Sequence, residues 1–182
     1  MTLRCLAALL AVSIATPAFA MDFNCPPPGT TLEFDSGTKV VSKGKDGNDC
    51  LMEQVGGKPF RMRSLMFANP GPDGSDTTAL MNSLRPERLF PLAVGKRIEA
   101  RHTSDKGSWN YVFSVQRTQM LEGVAGGAHE TFLIEMTETA ASGPYRAVAR
   151  WWISPRFNYL LRYDFSDSDN RSNRALVTKV TN

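Results

Sequence analysis

Turn residues recur along this chain about every eight to twelve positions, as clusters of Gly, Asn, Asp, Ser and Pro. Between them lie short runs rich in β-branched and aromatic side chains. Candidate strands are Thr31–Phe34, Thr38–Ser42, Cys50–Val55, Pro59–Phe67, Arg97–Thr103, Trp109–Thr118, His129–Thr137, Tyr145–Ser154, Tyr159–Phe165 and Arg174–Thr181. A parallel sheet needs crossover connections, usually helical, and these turns leave no room for them. The expected fold is therefore all-β: a curved antiparallel sheet or incomplete barrel whose sequence neighbours are mostly spatial neighbours.

One segment has a different period. Leu80, Met81 and Leu84 fall at helical spacing within Thr77–Leu84, Asp76 can cap that helix, and Pro86 stops it. The loop before it, Asn69 to Gly74, is built from Pro, Gly and Asp. The helix separates residues 21–67 from residues 88–182. Each part has a Gly-led strand (Gly29, Gly95) and a Gly-Gly pair (Gly56-Gly57, Gly126-Gly127). This suggests either a weak internal repeat relating 29–67 to 95–137 or a chance placement of glycines. The first part is too short to hold its own core, so one continuous domain is expected over 21–182.

The N-terminus reads as an export signal. Arg4 precedes an apolar stretch, Cys5–Ile14, and then Ala18-Phe19-Ala20, the three parts of a cleavable leader ending at Ala20. Its removal leaves 162 residues (182 less 20) and lowers the formal charge of +3 by one. No later apolar run approaches the roughly 18 residues of a membrane-spanning helix. The expected location is periplasmic or extracellular. Cys5 leaves with the leader, so Cys25 and Cys50 remain. In an oxidising compartment an isolated pair most simply forms a disulfide. The rival reading, a redox or metal pair, lacks a Cys-x-x-Cys spacing or a nearby His.

Period-two alternation assigns side chains to faces. In Tyr145–Ile153 and Tyr159–Phe165 the odd positions are mainly aromatic or small, including Trp151, Tyr163 and Phe165. The even positions hold Arg146, Arg150, Trp152, Leu160 and Arg162. On His129–Thr137, Phe132 joins the aromatic face and Glu135 falls among the arginines. The hairpin before it adds Ile98, Ala100, His102, Trp109, Tyr111 and Phe113 to the aromatic face. That face either lines a pocket for an apolar ligand or packs as core. The other face reads as cross-strand ion pairing or as a patch for an anionic ligand. Trp152 on that nominally wet face needs a cover or a partner.

Several chemistries are missing from the sequence. There is no nucleophile elbow, phosphate loop, zinc-helix motif or dinucleotide fingerprint. The two histidines, His102 and His129, fall on different faces, which argues against a shared metal. Asp164–Asn170 is rich in oxygen ligands but lacks the turn Gly and closing Glu of a calcium loop. Asn170-Arg171-Ser172 has the form of a glycosylation sequon. Arg61 and Arg63 alternate with Phe60 and Met62 as a solvated strand face. No clustered basic surface suited to nucleic acid is present.

The pieces Phe90-Pro91-Leu92-Ala93-Val94-Gly95-Lys96, Val124-Ala125-Gly126-Gly127-Ala128-His129-Glu130 and Trp151-Trp152-Ile153-Ser154-Pro155 fall within Leu89–Phe165. That stretch, residues 89–165, resembles secreted bacterial β-rich domains of unknown function. The resemblance implies a curved antiparallel meander and carries no catalytic residues with it.

The expected function is a non-enzymatic exported binding or envelope-interaction protein, with no cofactor, no metal and no nucleic-acid partner. Its partner would be an apolar small molecule or lipid, or an envelope protein. The candidate surfaces are the concave aromatic face (Trp109, Tyr111, Phe132, Trp151) and the patch of Arg146, Arg150, Trp152 and Arg162. The alternatives are a hydrolase-type enzyme using His102 and a structural or assembly component without a small ligand.

Overall fold

In the computed structural model, residues 20–71 and 74–182 are described, so the expected leader lies outside them apart from Ala20. Eleven strands form one antiparallel sheet that does not close into a barrel. The N-terminal limb is a meander of β2 (Thr31–Phe34), β3 (Lys39–Asp46), β4 (Asp49–Gln54), β5 (Pro59–Arg63) and β6 (Phe67–Asn69). The C-terminal limb runs β8 (Arg97–Ser104), β9 (Gly107–Val124), β10 (Gly127–Ala140), β11 (Arg146–Ser154), β12 (Tyr159–Asp167) and β13 (Ser172–Thr181). The limbs join where β13 pairs with β2, placing Thr181 opposite Thr31. Two short strands, β1 (Ala20–Met21) and β7 (Leu92–Ala93), pair separately.

The sheet curls until its two limbs face each other. Trp151 Nε1 on β11 donates to the Met66 carbonyl beside β6 at 3.2 Å, and the Tyr159 hydroxyl donates to Met62 Sδ on β5 at 3.0 Å. At one end the β9–β10 tip curls as far as β13, where Ala125 N donates to Val177 O at 2.9 Å. Bulges interrupt β9–β10 and β11–β12 beside the Leu133–Trp152 pair. Bulges bend strands and increase their twist, which suits this curl. The open edges are β6 and β8. Helix α1 (Thr78–Leu84) packs beside β8 and buries Met81 and Leu84. Asp76 Oδ1 accepts the Thr78 amide at 2.9 Å, so the expected capping residue acts one residue ahead of the structural N-cap, Thr77.

Cys25 and Cys50 are joined, with Cα atoms 5.5 Å apart. The bond fastens the Cys25–Pro28 segment to β4. The same segment lies so close to β3 that a Cβ on Gly44 would sit 3.1 Å from Pro28 Cγ. Gly44 also has φ +104°, so only glycine fits there without strain.

Three sequence expectations change. The single strand Pro59–Phe67 is broken at Ser64 and Leu65, which have φ of 53° and 61°. Two left-handed non-glycine residues together cost roughly 2–4 kcal/mol, and full burial of Leu65 offsets about 2 kcal/mol of that. Arg61 is exposed as expected, but Arg63 on the same face is only partly so, because it pairs with the buried carboxylate of Asp49. Leu160 moves to the concave side, since the β11–β12 bulge pairs it with Ile153 and shifts the alternation by one.

Candidate functional site

The concave face is only partly filled. Where the limbs face each other, a cavity of about 490 Å³ opens between Phe34, Phe60 and Phe67 on one side and Trp151, Tyr163 and Phe165 on the other. Phe67 holds the two sides together, with its ring centroid 5.6 Å from Trp151 and 6.0 Å from Phe113. Trp151 in turn lies 5.6 Å from Tyr163. Met62, Met66 and Met136 fill in between the rings, a use that suits their flexible chains. The volume falls inside the roughly 300–1,000 Å³ range of small-molecule sites, and the lining is apolar as such sites are.

Glu138 supplies the carboxylate of this lining among the described residues. It stands on β10, opposite Tyr111 of β9 and Ala147 of β11. The Tyr111 hydroxyl donates to Glu138 Oε1 at 3.0 Å. Burial raises the Glu138 pKa above the ordinary carboxylate value, and nearby Asp167 adds to this. The Tyr111 hydrogen bond and the Arg171 charge oppose the rise. Tyr111 is pushed up by burial and then by Glu138, so its phenol stays protonated and keeps donating. Burial pushes Tyr163 up to about 12.

Glu138 also borders a second, shallower recess of about 390 Å³ lined by Trp109, Ala140, Tyr145, Asp169 and Arg171. Arg171 Nε is 2.7 Å from Asp167 and its terminal nitrogen 3.3 Å from Asp169. The guanidinium lies 6.0 Å from the Tyr145 ring centroid.

The four residues expected on the aromatic face therefore separate. Tyr111 and Trp151 line the cavity, and Trp109 lines the recess. Phe132 is fully buried in the filled part of the core. The arginine face is largely compensated. Arg150 Nε meets Glu135 at 2.8 Å, and Arg162 Nε meets Asp164 at 3.1 Å. Among the described residues Arg146 has no ion-pair partner. Trp152 is covered by its neighbours, with the Arg162 guanidinium 4.6 Å above its ring.

His102 is partly exposed at the end of β8, with Nδ1 3.1 Å from Ser83 Oγ on α1. Ser83 donates its own proton to the Ala79 carbonyl at 3.0 Å. The His102–Ser83 contact thus ties the end of β8 to α1. Among the described residues no carboxylate is bonded to His102. His129 is buried edge-on against Phe157 at 4.9 Å. No group of three metal-ligating side chains occurs among the described residues. In the acidic loop, Asp167 Oδ1 accepts the amides of Asp169 and Arg171 at 3.0 and 2.9 Å, which spends its oxygen lone pairs internally.

Sequence reasoning missed Glu138 and the N-terminal lining residues. Glu138 carries a readable signal: a carboxylate two residues beyond Met136, on the same face of one strand. The lining contributed by Phe34, Phe60 and Phe67 depends on how the limbs fold over each other, which no local pattern encodes.

No known family model matches the chain, and no curated protein matches it. Among solved structures it is similar to the hypothetical lipoprotein YmcC of Escherichia coli, with TM-score 0.46 and 13% identity over 86% of each chain. A protein of Bacteroides fragilis, described as exported and YmcC-like in fold, gives 0.41 and 9%, over 89% of this chain and 100% of its own. A protein of Parabacteroides distasonis, described as a lipoprotein, gives 0.42 and 8%, over 90% of this chain and 100% of its own.

Proposed function

We propose that this is an exported, non-enzymatic binding protein whose curled sheet holds an apolar small molecule or lipid. The observation that carries this reading is the cavity of about 490 Å³ between the two limbs, walled by aromatic rings and methionines. The leader-like N-terminus and the Cys25–Cys50 bond support an oxidising destination. N-terminal sequencing of the secreted protein should read Met21 first, and retention of the leader would overturn the exported part.

The binding part is tested in two steps. Native mass spectrometry of freshly isolated protein should show bound lipid. After organic extraction, the protein should take up N-phenyl-1-naphthylamine with a rise in its emission. Ala175→Phe, which inserts a ring into the cavity lining, should abolish that rise. A protein that neither carries lipid nor takes up the probe has no such site.

A further inference from the structure

The position of Glu138 suggests a more specific ligand, and the argument rests on the cavity reading above. We propose that the cavity takes an amphiphile with an apolar tail and an ammonium head group, the tail between the limbs and the head against Glu138.

Glu138 borders both the apolar cavity and the recess beside it, so it marks where a chain leaving the cavity would meet polar surroundings. Tyr111 occupies one of its oxygens with a donated hydrogen bond. The second oxygen remains to accept from a head group, and a carboxylate accepts best from a charged donor. The recess adds the indole of Trp109 and the phenol of Tyr145. Aromatic faces attract cations, and Arg171 already approaches the Tyr145 ring in this way.

The charge balance selects against an anionic head. Among the described residues, the ionisable groups around the junction are Glu138, Asp167, Asp169 and Arg171, with the phenols of Tyr111 and Tyr145. Arg171 is held by both aspartates, at 2.7 and 3.3 Å. Three acids against one paired base leave the junction negative. A fatty carboxylate would therefore bring a fourth acid there, without a free cation to receive it. An ammonium would relieve the imbalance.

The test uses three probes with one chain length: decylamine, decanol and decanoate, each below its micelle or solubility limit and followed by the protein's tryptophan emission. Decylamine should bind about tenfold tighter than decanol, the margin of a charge-assisted over a neutral hydrogen bond, and decanoate should bind most weakly. Glu138→Gln should reduce decylamine affinity by about the same factor and decanol affinity by clearly less. Decanol binding also reports that the variant is folded. If the variant does not fold, the ranking of the three probes on the native protein decides the matter. Equal binding of amine and alcohol, or a preference for decanoate, overturns the head-group assignment while leaving the cavity reading intact. Failure of all three probes overturns both.

Discussion

Glu138 couples the candidate site to stability. Its pKa is raised in the folded chain, chiefly by burial. A carboxyl of this kind favours folding while protonated, below its unfolded value, and that contribution is lost as pH rises through the folded value. Glu138→Gln imitates the protonated form at every pH. The variant should therefore gain stability relative to the native protein between pH 4 and pH 7, as read by paired urea titrations. A constant difference across that range would show that Glu138 is not held in a dry setting. Trp151 offers a second measurement. Its indole donates to the Met66 carbonyl and thereby ties one limb to the other. Trp151→Phe keeps a ring but orphans that carbonyl, and should cost about 2 kcal/mol in chemical denaturation.

At the scale of elements, two devices shape the N-terminal limb. The Cys25–Cys50 bond spans a separation of 25 residues. Closing a loop of that size restricts the unfolded chain enough to stabilise by about 3 kcal/mol. The paired Cys25→Ser and Cys50→Ser variant should show that loss, matched by the native protein under reducing conditions. The left-handed turn at Ser64-Leu65 is the other. Ser64 has φ 53° and a buried hydroxyl without a hydrogen-bond partner. Ser64→Gly removes both penalties and should stabilise by about 1 kcal/mol, seen as a higher urea midpoint.

The same turn marks where the sequence stopped being readable. Alternation located the strands from Arg97 to Thr181 because one face is buried and the pattern has to follow it. It failed at Ser64-Leu65, where no glycine or proline announces a reversal, and at Leu160, where an extra residue shifts the register. It also understated β9, whose polar run Gln116–Gln119 hides a strand that continues to Val124. Tyr111 and Trp151 were legible as concave residues. Whether they line a space or a packed core was not, because that depends on how closely the limbs approach.

At the scale of the whole molecule, the limbs are linked first by the β13–β2 seam and second by side chains between them, namely the rings around Phe67 and the bonds from Trp151 to Met66 and from Tyr159 to Met62. A ligand lying between them should act as a third link. Decylamine at about a hundred times its dissociation constant should add about 2.7 kcal/mol. For a domain of this size that is a rise in melting temperature of about 5–10 °C, and Ala175→Phe should remove it. An unchanged melting temperature would mean that the probe does not distinguish folded from unfolded chain.

The seam has a further consequence for how the chain is made. Thr31 belongs to the first strand of the N-terminal limb, yet its partner on β13 is Thr181. The N-terminal limb is synthesised first and can form its own hairpins, but one edge of β2 stays bare until Ser172–Thr181 has emerged. The seam therefore closes last, once nearly the whole described chain has been made.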